Sequence, residues 1–282
     1  MISFSFTLPI LMFLSLACAA QQPAGAPAPA PSPATTPAPA ASSEEPAPAT
    51  DARLTRDAEL DRILDALDRR GRDLRSLAAD VTLTETDAAL GENVTRTGSF
   101  ALEIQPDGSA RSRVTFNDKV ANNRKTQEKI EYLLDGPNLI DRTYRTRTQV
   151  TRQVLRPGEK LNLLKLGEGP FPLPIGQDTE EVHRLFEASK VQPEPEDPPD
   201  TVHIRLIPRP DSQFADRFNS IDAWVDLADH MPKRIETVDA NQVTVRTTEL
   251  SNVRVNEELG DRRFALEPVG SDWTLLNEAY ER

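Results

Sequence analysis

Apolar side chains recur along this chain with two different periods, and the switch between them divides it. From Arg53 to Leu77, the residues Leu60, Ile63, Leu64, Leu67 and Leu74 fall on one side at helical spacing while Asp and Arg fill the other, which predicts one amphipathic helix. Gly71 lies inside it and marks a weak or bent turn, since glycine costs about 1 kcal/mol against alanine in a helix interior. After Ser76 the period falls to two. In "ADVTLTET" Val81 and Leu83 alternate with threonine, and in "TRTGSFALEI" Phe100, Leu102 and Ile104 alternate with the rest. "PDGS" at 106–109 turns the chain into "ARSRVTF", Asp135-Gly136-Pro137-Asn138 turns "KIEYLL" into "NLIDRTY", and "RTQVTRQVLR" makes a further strand. Strands joined by such short turns run antiparallel, because a parallel pair needs a long crossover.

Between Arg156 and Val191 the alternation stops. "PGEKLNLLKL" opens with Pro157 and spaces Leu161, Leu164 and Leu166 for a short helix. "DTEEVHRLFEASKV" starts with Asp178 and has Glu181 three places on, a capping pattern, after which Val182, Leu185, Phe186 and Ser189 share a helical face. Between the two helices, "LGEGPFPLPIG" sets Phe171, Leu173 and Ile175 on a backbone that Pro170, Pro172 and Pro174 exclude from helix and from a central strand. It reads as a stiff apolar strap. "QPEPEDPPD" at 192–200 is a polar linker, and the sheet resumes with "TVHIRLIP", "IDAWVDLA", "PKRIETVD" and "QVTVRTTEL", closed by "RRFALEP". The pattern predicts an α+β architecture with about nine or ten antiparallel strands, covered by a long leading helix and a mid-chain pair of short ones.

The ends of the chain change that picture. Residues 8–20, "LPILMFLSLACAA", are too short to span a bilayer and end in small side chains, the pattern of a secretory signal. Cys18 is the only cysteine, so no intramolecular disulfide staples the fold. Two processing routes fit the same residues: cleavage after Ala19, or a lipobox in which Cys18 becomes the lipidated first residue. Residues 21–50 hold nine of the 24 prolines and almost no large apolar side chain, which predicts an extended polyproline tether. A tether implies an attachment at both ends and favours the anchor. The predicted organisation is a signal over 1–20, a tether over 21–50 and a folded domain over 51–282.

Charge is divided along the chain. Residues 96–165 carry 14 Lys and Arg against 8 Asp and Glu, whereas residues 166–282 carry 12 against 24. This polarity argues against nucleic-acid binding, which needs a domain-wide basic footprint. The basic middle either meets anionic head groups or an acidic partner, or is a set of solvated strand faces. His183, His203 and His230 lie in three separate elements, and Asp226-Leu-Ala-Asp229-His230 reads as a turn rather than a metal site. The folded part has no thiol, no G-x-S-x-G, no phosphate loop and no dinucleotide fingerprint. No catalytic residue, metal or cofactor is predicted.

The element order, together with Trp224-Val225-Asp226, Pro232-Lys233-Arg234-Ile235, Leu250-Ser251-Asn252-Val253 and the closing Asn256, Phe264 and Pro268, resembles the LolA-like outer-membrane lipoprotein carrier family. The resemblance implies a half-open antiparallel β-barrel whose apolar face is covered by helices acting as a lid. It implies a non-catalytic periplasmic carrier or receptor that binds acyl chains of lipoproteins or lipids, tethered to a membrane where Cys18 is lipidated. The cavity and lid would be built from Ile63, Leu64, Leu67, Phe100, Leu102, Leu161, Leu164, Phe171, Leu173, Ile175, Leu185, Phe186 and Trp224. The family's cavity arginine, which ties the lid, falls equally well on Arg96, Arg111 or Arg113. The same scaffold also serves as a sensory domain, so an envelope sensor that binds a protein partner is the alternative.

Overall fold

The computed structural model describes residues 57–156, 159 and 175–280. The helical period becomes α1 (Ala58–Asp73), capped by Asp57, whose carboxylate accepts the N–H groups of Glu59 and Leu60. Glu59 and Asp61 in its first turn and Arg70 and Arg72 in its last complement the helix dipole. The period-two segments become β1 (Ser76–Asp87), β2 (Glu92–Ile104), β3 (Ala110–Ala121), β4 (Arg124–Asp135), β5 (Asn138–Thr143) and β6 (Thr148–Gln153). After α2 (Thr179–Leu185) follow β7 (Phe186–Lys190), β8 (Thr201–Pro208), β9 (Phe218–Asp226), β10 (Pro232–Asp239), β11 (Thr244–Val255) and β12 (Thr274–Glu278).

The twelve strands among the described residues form one sheet in the order β12-β6-β5-β4-β3-β2-β1-β11-β10-β9-β8-β7. The chain enters at β1, winds outward by hairpins to β6, restarts at the opposite edge with β7, and winds back until β11 pairs with β1. Neighbours are antiparallel except β12, which returns to the far edge and runs parallel to β6. The two edges do not meet, so the fold is an open α+β half-barrel.

Strand alternation gives this sheet an inner face, covered by α1, and an outer face. Leu60, Leu64 and Leu67 of α1 join one core with Leu77, Phe100 and Leu102 on the inner face. On the outer face the small side chains Ala78 and Ala101, with Leu133, make room for Leu259 and Phe264 of the C-terminal segment. Curvature has a local cause at Gly98, where β2 shifts register against β3. A Cβ there would stand 1.8 Å from the Thr115 carbonyl oxygen, so only glycine admits this approach.

Three expectations are corrected. Phe186 ends α2 and begins β7 instead of extending a helical face; it pairs with Pro208, and Ala188 pairs with Leu206. The edge of β8 offers backbone groups that need partners, and that pairing outweighs one more helical turn. "RRFALEP" is not a strand: Asp261–Arg263 is a single 3-10 turn, and Phe264 is buried with Leu259 against the outer face. The last strand is β12 instead, so the sheet exceeds the nine or ten strands expected. The first of the predicted lid helices, with Leu161 and Leu164, and the strap residues Phe171 and Leu173 lie outside the described residues, as does Cys18.

Candidate ligand-binding face

The inner face gathers most of the predicted cavity residues that are described. Leu64, Leu67, Phe100, Leu102, Ile175 and Leu185 belong to one core, with Ile63 packed against it. Phe186 belongs to it as well, from the strand edge, and stacks on Phe214 with ring centroids 5.2 Å apart. The described end of the strap docks on α1. Ile175 is fully buried, Gly176 donates its N–H to the Leu67 carbonyl at 3.1 Å, and a Cβ on Gly71 would stand 2.3 Å from the Gly176 Cα. Gly71 is therefore a notch for the strap. Beyond it, α2 is tied to α1 by a 2.7 Å bond between His183 Nε2 and Asp61 Oδ1 and by a hydrogen bond from Thr179 to Asp65.

Trp224 is corrected. Ile221, Ala223 and Val225 of β9 point into the inner core, so Trp224 faces outward, as alternation requires. There it stacks on His203 at 4.1 Å, lies under Arg234 at 5.2 Å, and donates Nε1–H to Asp197 of the proline-rich linker at 2.5 Å. Beside it the buried Asp222 Oδ1 meets His203 Nε2 and accepts Arg205 Nε, each at 2.7 Å. The 226–230 segment is a turn: Asp226 Oδ1 accepts the N–H groups of Ala228 at 2.7 Å and Asp229 at 3.1 Å.

The three candidate arginines separate by face. Arg111 and Arg113 are outer. Arg111 binds Glu103 and Asp261 and lies 4.2 Å over the Phe264 ring. Arg113 pairs with Glu131 and donates to the carbonyls of Arg263 at 3.1 Å and Ala265 at 2.7 Å. Arg142 donates to the Glu267 carbonyl at 2.7 Å, and Arg147 meets Asp272 at 2.6 Å. Much of the basic middle is thus spent internally on the acidic C-terminal third. Arg96 alone of the three lies opposite Leu83, hence on the inner face.

Around Arg96 the inner face carries polar groups that sequence reasoning missed. Tyr132 pairs with Val114 on one side and Asp141 on the other. Glu85 meets Arg246 at 2.9 Å, and Arg152 lies 3.8 Å from Asp141 and also binds Glu278. Burial pushes the Asp141 carboxyl up to about 6, an effect that Arg152 opposes and Glu278 reinforces. Burial likewise raises the Tyr132 hydroxyl and keeps it protonated. The signal for these residues was register: the two-residue turn at Gly136-Pro137 sets Tyr132 opposite Asp141, facing the same way as Ile130 and Leu134.

No family model matches the sequence, and no curated protein does. Several solved structures are loosely similar over most of the chain. An uncharacterized conserved protein from Thermus thermophilus is 11% identical with a TM-score of 0.43, over 78% of this chain and 99% of that one. LprF from Mycobacterium bovis is 13% identical with a TM-score of 0.42, over 72% and 96%. The Pseudomonas aeruginosa MucA/MucB complex is 9% identical with a TM-score of 0.41, over 74% and 62%. At such scores these likenesses carry no argument about function, which rests on this chain's own residues.

Proposed function

We propose that this chain is a non-catalytic periplasmic carrier or receptor that holds the acyl chain of a lipoprotein or lipid against the inner face of its half-barrel. One observation supports it above the others. Among the described residues, an open sheet with a broad apolar inner face is covered by a thin layer: one helix, a short helix, and the Ile175-Gly176 segment seated at a glycine notch. A second sheet would seal such a face permanently. The polar ties from α2 and β7 to α1, from Thr179 to Asp65, His183 to Asp61 and Lys190 to Glu59, lie at the surface or only partly buried, where such pairs are worth about 0–1 kcal/mol each. A cover held mainly by apolar contact can exchange those contacts for a flexible apolar ligand, because the hydrophobic effect is non-directional. Cys18, preceded by Ser15-Leu16-Ala17 and followed by the proline-rich segment, supplies the membrane anchor in this account.

The test is calorimetric titration of delipidated protein with a fatty acid at several temperatures. Burial of an acyl chain gives a negative heat-capacity change on binding. Absence of binding at millimolar ligand would remove the carrier reading.

A further inference from the structure

We propose that Arg96 and the Tyr132 hydroxyl form a receptor for an anionic oxygen group, a carboxylate or a phosphate, at the head of an apolar chain held on the inner face. This rests on the carrier reading and names its ligand class. Arg96 is 8% exposed and Tyr132 5%, and neither Arg96 Nε nor the Tyr132 hydroxyl has a hydrogen-bond partner. Both point to the same side of the sheet, with Leu83 opposite Arg96 and Val114 opposite Tyr132.

The surrounding charges are already matched. Glu85 is taken by Arg246, Arg152 by Glu278 and Asp141, and Lys119 lies 3.6 Å from Glu128. Among the described residues no ion pair reaches Arg96, so its guanidinium has no carboxylate in direct contact. A buried carboxyl can escape such a position by protonation, but a guanidinium keeps its charge. Leaving it buried and unpaired is costly unless something supplies a counter-charge. Both groups are donors, and the Tyr132 hydroxyl stays protonated, so the missing partner offers acceptor oxygens and negative charge. Leu83, Phe116 and Ile130 on the same face supply the apolar bed for the rest of the molecule. A neutral ester would satisfy the hydroxyl and leave the guanidinium uncompensated.

The experiment compares palmitate with methyl palmitate on the delipidated full chain by calorimetry. Palmitate should bind about tenfold tighter or more, the worth of a hydrogen bond to a charged group. Arg96→Leu should bring palmitate down to the affinity of the ester, and Tyr132→Phe should narrow the gap by a smaller factor. Arg96→Leu should also melt no lower than the parent, since it removes a buried unpaired charge; a merely structural arginine would give a drop. Tyr132→Phe, which changes one oxygen, carries the test independently should Arg96→Leu not fold. Hexadecyl phosphate distinguishes the sources: tighter binding than palmitate assigns a phosphate head, weaker a carboxylate, and either stands only if Arg96→Leu removes the advantage over the ester. Equal affinity for acid and ester in the parent, or a preference that survives in Arg96→Leu, overturns the anion site and leaves the carrier reading in place. If neither ligand binds the parent, the carrier reading falls and the anion site with it.

Discussion

Gly71 and Gly176 touch backbone to backbone: a Cβ on Gly71 would lie 2.3 Å from both the Cα and the N of Gly176, a residue more than a hundred positions later. The contact fixes where the strap meets α1. Its consequence is a sign. Gly71→Ala should gain about 1 kcal/mol of helix propensity if the glycine only weakens the helix. With the strap seated in the notch, the added methyl forces the backbones apart and the substitution should instead destabilise by about 1–3 kcal/mol. Urea denaturation decides, and a stabilised variant would show that the strap does not rest there.

The contact also marks where sequence reading succeeded and where it failed. The spacing of Leu60, Leu64 and Leu67 made α1 legible, and the Gly136-Pro137 turn made the β4–β5 hairpin legible, because each is a local signal. Gly71 read as a flaw in the helix because its partner lies far along the chain. The family resemblance puts Trp224 in the cavity, and the strand's own pattern does not correct it: every residue from Ser220 to Val225 is buried, and a strand covered on both faces hides its alternation. Phe186 fits a helical face through Val182 and a strand face through Ala188, and only the free edge of β8 decides between them. β12 pairs in parallel with a strand over a hundred residues earlier, so no local pattern announces it.

Asp141 predicts a pH dependence. Its folded carboxyl titrates near 6, against about 3.9 in an unfolded chain. Between these values the folded state holds a proton that the unfolded state has released, so stability falls as pH rises through the window and levels off above about 6. Asp141→Asn should flatten that slope and stabilise the protein at pH 7 by up to about 3 kcal/mol, a figure that already includes the opposing pull of Arg152. Denaturant midpoints at both ends of the window, in parent and variant, measure it. Parallel slopes would contradict the assignment.

Arg113 predicts a structural loss. Its partner Glu131 has a side chain only 1% exposed. Burial would push that carboxyl up, but hydrogen bonds from Tyr144, Arg113 and Lys129 hold it below the usual carboxylate range. Arg113→Ala strips one of these and also frees the carbonyls of Arg263 and Ala265. A loss of about 1–3 kcal/mol is expected, because Lys129 and Tyr144 still compensate Glu131, with faster proteolysis between residues 257 and 273. An unchanged cleavage rate would show that the C-terminal segment is held by Leu259 and Phe264 alone.

Cys18 predicts a covalent outcome. Expressed at full length in a bacterial host, the protein should incorporate labelled palmitate and partition into detergent, and Cys18→Ser should abolish both. Recovery of the parent as an unlabelled chain starting at Ala20 would replace the anchor with simple secretion.

The central claim is that the inner face holds an acyl chain, and native mass spectrometry of the protein purified from a bacterial host tests it most directly. The account predicts adducts with the masses of acyl lipids that disappear after delipidation and return on incubation with a fatty acid. A spectrum of bare protein before and after that incubation would contradict it.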